Sequence, residues 1–216
     1  MFLNSKLASS SLMALTLALV ACQDGDEVGA NGELGARLTA PTTLAIVHPS
    51  SAEVSGRDEH GASVAVGPLS VDGGTITVKV DDQGHLVVQD FEVALADILA
   101  DDGTLAADPR MLTDVRVSLG RQIVLRDAWS ETGASANATV SADLRLDWTI
   151  IEADGTSLPL GTLTVEDVQL EVDLRAEDDG SVSARLAASL YGRVFGNWGV
   201  ELTDFAMELS ATSDGF

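Results

Sequence analysis

The stretch Thr139-Val140-Ser141-Ala142-Asp143-Leu144-Arg145-Leu146-Asp147-Trp148-Thr149-Ile150-Ile151 alternates apolar and polar side chains almost to its end. Val140, Ala142, Leu144, Leu146, Trp148 and Ile150 fall on one face, and Thr139, Ser141, Asp143, Arg145, Asp147 and Thr149 on the other. A period of two is that of a β-strand. At 3.3 Å per residue such a strand runs about 43 Å, well beyond the common five or six residues. The same alternation marks Thr75 to Val80, Val168 to Leu174 and Val182 to Leu190. Each stretch has one apolar and one wet face, so the sheet is expected to be antiparallel and buried on one side, not parallel.

The connections agree with this reading. Val80-Asp81-Asp82-Gln83-Gly84-His85, Glu152-Ala153-Asp154-Gly155-Thr156 and Ala176-Glu177-Asp178-Asp179-Gly180-Ser181 lie between alternating runs. In each, a glycine can supply the positive φ that a tight turn needs. Only Leu95 to Leu99, with Leu95, Ile98 and Leu99 at helical spacing, suggests a short helix, ended by Asp101-Asp102-Gly103. The expected fold is all-β: an antiparallel meander of long, bulged strands forming a sandwich or strongly curved sheet, with at most one short helix.

The bulges are read from a pattern that recurs four times, apolar-x-Asp-apolar-x-apolar-x-apolar. It covers Val88 to Leu95, Leu112 to Leu119, Val165 to Val172 and Leu202 to Leu209. The first two apolar residues stand three apart, which breaks strict alternation once before the period of two resumes. Setting two residues against one on the neighbouring strand bends the strand and keeps both halves facing the core. The aspartates Asp90, Asp114, Asp167 and Asp204 can bond to nearby backbone at such a point. Their uneven spacing does not fit a solenoid. A carboxylate cluster at a site is the alternative reading.

The opening of the chain is of a different kind. Residues 1–21 begin with a short polar segment whose one basic side chain is Lys6, followed by an apolar run from Leu12 to Leu19. This is the layout of a secretory signal peptide, too short to span a bilayer as a helix. It ends in Leu19-Val20-Ala21-Cys22, which holds the chain's single cysteine. Those four residues resemble the lipobox of bacterial lipoprotein precursors. The resemblance implies that Cys22 receives a diacylglyceryl group on its sulfur and that the chain is cut between Ala21 and Cys22. It further implies acylation of the new amino terminus. An intramolecular disulfide is excluded, since one cysteine has no partner. Gln23, not Asp, follows Cys22, and in Gram-negative lipoproteins this points to the outer membrane, facing periplasm or surface.

Residues 22–41 are rich in glycine and acidic side chains, carry no aromatic residue and show no period, so they are expected to form a lipidated cysteine and flexible acidic tether. Residues 42–216 are then a single all-β domain, long enough for a substantial core. The whole chain carries a formal charge of −22 from 12 basic and 34 acidic residues, and loss of Lys6 with the signal takes it to −23. Charge of this sign repels nucleic acid and anionic headgroups. The expected partners are the lipid bilayer, through acylated Cys22, and a protein or apolar ligand, but no nucleic acid.

No catalytic or cofactor-binding residue is assigned. Gly-x-Ser-x-Gly does not occur, and His48, His60 and His85 are scattered without a His-x-x-x-His pair. His48 and His60 read as loop residues and His85 as the start of a strand, all three exposed. Asp81-Asp82, Asp101-Asp102 and Glu177-Asp178-Asp179 offer oxygens to calcium, yet none forms the Asp-x-Asp-x-Asp-Gly loop, so no metal ligand is assigned. Asn137-Ala138-Thr139 fits a glycosylation sequon but sits where a strand begins. Before Phe216, Asp214, Thr212, Ser210 and Glu208 occupy the places where a membrane-barrel strand would be apolar. The leading functional reading is a membrane-anchored envelope lipoprotein whose β-domain is not an enzyme and has a binding or structural role. The alternatives are a carrier or sensor of an apolar ligand in a curved β groove, and an unrecognised enzyme or calcium-binding domain.

Overall fold

A computed structural model of the chain describes residues 30–57, 63–65, 69–100, 110–151, 154–195 and 201–214. The complete elements among the described residues are one short helix, α1 (Glu33–Arg37), and eleven strands. These are β1 (Thr42–Arg57), β2 (Ser63–Ala65), β3 (Leu69–Val80), β4 (Leu86–Leu95), β5 (Ile98–Ala100), β6 (Arg110–Leu119), β7 (Ile123–Leu125), β8 (Ser135–Ile151), β9 (Ser157–Ala176), β10 (Val182–Phe195) and β11 (Glu201–Thr212). Every pairing between them is antiparallel.

The curved sheet closes on itself. Sequential neighbours pair from β1 through β11, β4 pairs with β6, and β11 returns to pair with β1, Ala45 facing Thr212 and Val54 facing Phe205. The result is an eight-stranded up-and-down barrel of β1, β3, β4, β6, β8, β9, β10 and β11. The three short strands extend it: β2 pairs β1, β5 pairs β6, and β7 pairs β4. Closure satisfies the backbone groups that an open edge would leave to water or to another chain.

The stretch that carries the strand pattern is β8, which starts four residues earlier than its strict alternation. Its inward Ala142 and Leu144 are buried, and Val140, Leu146 and Trp148 pack against the same core. On β9 and β10 the inward set is likewise Val168, Leu170, Val172 and Leu174, then Val182, Ala184, Leu186 and Ala188.

All four repeats sit at register shifts. Thr77 pairs Asp90 and Val78 pairs Val88, which leaves Gln89 extra on β4. On β6 two residues, Asp114 and Val115, stand between the pairs Thr113–Thr149 and Arg116–Asp147. On β9 Glu166 and Asp167 stand against Asp143 alone, and on β11 Thr203 is the extra residue opposite β1. The purpose of the three-residue spacing is visible in the core: Val88 and Phe91 are both 0% exposed, and Val165 and Val168 are both buried. Asp114 and Asp167 take φ of 54° and 58°, the left-handed region that aspartate tolerates better than most side chains. The Asp90 carboxylate accepts the Phe91 N–H at 2.9 Å, and Asp167 accepts the Ser141 hydroxyl at 3.1 Å.

Two expectations are corrected. Leu95 to Leu99 is not a helix: β4 runs to Leu95 and β5 starts at Ile98, so the two form one interrupted strand along β6. Pairing with a neighbouring strand overrides a weak local spacing. The acidic segment 22–41 is not wholly a tether, because from Ala30 onwards the chain is docked. Residues 22–29 lie outside the described residues.

The docked part plugs one end of the barrel. Leu34 and Leu38, four apart on one helical face, are 0% exposed within the barrel core. The Leu34 N–H donates to the Gly133 carbonyl at 3.0 Å, and the Val80 N–H donates to the Leu38 carbonyl at 2.8 Å. Arg37 Nη1 donates to the carbonyls of Glu177 at 2.8 Å and Ser181 at 2.5 Å. One turn of helix thus ties together three connections at the same end. A Cβ on Gly32 would lie 2.5 Å from the Gly133 Cα, so only glycine allows this approach.

Two substitutions test these assignments. Leu34→Ala should cost about 2–5 kcal/mol, as for other buried leucines, measured by urea unfolding. An unchanged midpoint would return the segment to the tether. Asp167→Val, which puts a β-branched residue at φ 58°, should cost about 1–3 kcal/mol. Asp167→Gly should cost less, and equal losses would reject the backbone explanation.

Candidate functional site

The described charged groups concentrate on the outer wall and on the plugged end. Glu92, Arg116, Glu171, Arg175, Arg185 and Glu208 face outward, alternating with buried neighbours. Glu92 and Arg116 pair across β4 and β6 at 3.0 Å, and Asp173 pairs with Arg175 at 3.0 Å and raises the arginine pKa. On β11 the outward positions are Glu208, Ser210 and Thr212, between buried Met207, Leu209 and Ala211. A transmembrane barrel has the reverse pattern, and an arginine on its lipid face costs about 2–4 kcal/mol at the bilayer midplane. No described helix is long and apolar enough to cross a membrane.

The acidic turns use their oxygens locally. Asp81 Oδ1 accepts the N–H groups of Gln83 at 2.8 Å and His85 at 2.9 Å, while Oδ2 lies 3.3 Å from His85 Nδ1. Burial raises the Asp81 pKa, but these hydrogen bonds and the His85 ring outweigh it and hold the carboxyl below its ordinary 3.8. Asp179 accepts the Ser181 hydroxyl at 2.6 Å and its N–H at 3.0 Å, which lowers its pKa. Asp154 is lowered in the same way by the Thr156 hydroxyl and N–H. Glu177 accepts the Ser183 hydroxyl, and Asp178 points into solvent. Among the described residues no three of His, Cys, Asp and Glu are grouped to hold a metal ion. Asp101-Asp102 lies outside the described residues.

The histidines are not as expected. His48 is exposed but belongs to β1, next to a cis peptide bond to Pro49. His85 is half-buried, with 17% of its side chain exposed against the Asp81 carboxylate. Its place at the start of a strand after a turn suggests exposure, whereas the hairpin folds it back onto Asp81. His60 lies outside the described residues, as do Cys22 and Phe216.

The interior is the other place where a ligand could sit. Eight-stranded barrels are just wide enough to be filled by side chains or to hold one small molecule. Here Leu44, Ile76, Val78, Phe91, Val93 and Leu170 have 0% exposure. A void that admitted water would leave exposed surface on its walls, so the barrel is solid around these residues. Trp129 Nε1 donates to the Gly84 carbonyl at 3.0 Å and pins the first hairpin beside the plug. Sequence reasoning missed α1 as part of this end because two leucines in an acidic, glycine-rich segment give no period.

The class of protein is therefore an up-and-down antiparallel β-barrel with an apolar filling and a charged outer wall. Against protein-family models, curated proteins and solved structures, the chain matches none.

The turn carboxylates give a pH dependence whose sign is definite. Asp81 and Asp179 titrate lower folded than unfolded, so their contribution is complete above about 3.8 and fades as pH falls through the lowered values. The double variant Asp81→Asn/Asp179→Asn should unfold at lower urea than the parent at pH 6, with the gap narrowing at pH 3. A constant gap would show that ionisation is not what these turns use.

Proposed function

We propose that the chain is a bacterial envelope lipoprotein, held to the outer membrane by acylated Cys22, whose barrel binds another macromolecule at its outer surface or has a structural role. The observation that carries this is the single cysteine, placed at the end of an apolar run in a sequence that resembles a lipobox. An acyl chain contributes about 0.8 kcal/mol per buried methylene, so two or three chains hold a protein on a bilayer without any spanning segment. The charged barrel wall supports the same reading, since its described part offers no apolar band to embed.

The filled interior favours the surface over the inside as the working part. A carrier of an apolar ligand needs volume between the strands, and the volume near α1 is taken up by leucine, valine and phenylalanine. In the described acidic turns, Asp81 and Asp179 engage their oxygens with backbone and hydroxyl donors.

Membrane fractionation tests the anchor. The parent should sediment with membranes, in the outer-membrane band of a density gradient, and Cys22→Ser should move to the soluble fraction. Retention of Cys22→Ser on membranes would overturn the lipoprotein reading.

A further inference from the structure

We infer that the barrel stands on the bilayer with its plugged end down: the end that carries α1 faces the headgroups, and the opposite strand ends are held away from them. This rests on lipidation of Cys22. It follows from how little chain separates that residue from the folded part. Eight residue steps separate Cys22 from Ala30, and whatever the conformation they reach at most about 26–29 Å. Ala30 lies three residues before α1 and against its Gly35, and α1 is bonded to the connections at Val80, Gly133, Glu177 and Ser181. The anchor therefore emerges at one end of the barrel.

The barrel is longer than this tether. β9 has 20 residues, or about 66 Å of strand, and a tilt of 35–45° leaves roughly 50 Å along the barrel axis. The far end carries the strand termini at Arg57, Ile151, Ser157, Phe195 and Glu201. If residues 30–41 were free, the chain would be long enough for either end to approach the membrane. Docking of α1 removes that freedom, so the plug both fills the barrel mouth and sets its orientation.

Charge does not choose the end but sets the stand-off. Asp81, Asp82, Glu177, Asp178, Asp179 and Asp214 ring the plugged end, and acidic side chains run along the wall. Anionic headgroups repel both, which keeps the barrel from lying flat and holds the near end at the reach of its tether.

The test uses full-length lipidated protein in vesicles that contain anionic lipid and a fluorescent headgroup acceptor. Cys22 is the single cysteine, and thioether formation blocks it, so an introduced cysteine is the one site that takes a maleimide donor. D82C and D178C place the donor on the plugged end, and D154C places it on the far end. Energy transfer from D82C and D178C should exceed that from D154C several-fold. Equal transfer from the three sites, or stronger transfer from D154C, would overturn the orientation. The unsubstituted chain separates the two hypotheses: it should float with vesicles and take no label. If it takes label or stays in solution, the anchor reading fails; if it floats unlabelled and transfer is equal, the orientation alone fails.

Discussion

Everything in this fold depends on one pairing, that of β11 with β1. Each barrel strand between them is paired on both sides by strands near it in sequence, whereas β1, paired with β3, and β11, paired with β10, complete their second side with each other. Their pairing runs from Ala45–Thr212 to Arg57–Glu201 and is interrupted at His48-Pro49-Ser50. Proline cannot donate to a ladder, so an interruption is needed there. Ser50 repairs it: its hydroxyl accepts the Ser210 N–H at 3.0 Å and donates to the Val47 carbonyl at 2.7 Å. With the seam closed, the described apolar faces of the eight strands point at one axis, which turns a one-sided sheet into a cylinder filled over its described part.

A filled cylinder has two mouths, and apolar strand ends at a mouth would be wet unless covered. At the described mouth the cover is α1. Five residues are too few for a helix to hold itself together, so its stability is tertiary. Leu34 and Leu38 supply burial, Arg37 supplies hydrogen bonds to two carbonyls of the β9–β10 hairpin, and Gly32 allows contact with Gly133. The same contacts shorten the link to Cys22. A packing requirement at the barrel mouth thus becomes a constraint on how the proposed anchor presents the domain.

The strands, their inward faces and the bulges were legible in the sequence because each is local. Alternation reports a face, and three-residue spacing beside aspartate reports a place where two residues oppose one. The Asp-Gly turns were legible for the same reason. The half-burial of His85 and the docking of residues 30–41 were not. The docking arises from contacts with segments whose position depends on closure, and the half-burial of His85 from the turn that brings its ring onto Asp81; neither leaves a period. The candidate anchor was legible as a motif alone, and nothing in the barrel has a bearing on the chemistry at Cys22.

By itself, then, the sequence determined an all-β chain of long, one-sided, bulged strands joined by acidic turns, since side-chain period and turn chemistry act over a few residues. Only the tertiary structure decided that the curved sheet is a closed barrel and not a sandwich, that its described interior is solid, and that one mouth is sealed by the start of the domain. Those outcomes turn on which strands meet across some 150 residues of chain and on how much volume remains once they do. Alternation says which way a side chain points; it does not say what stands opposite.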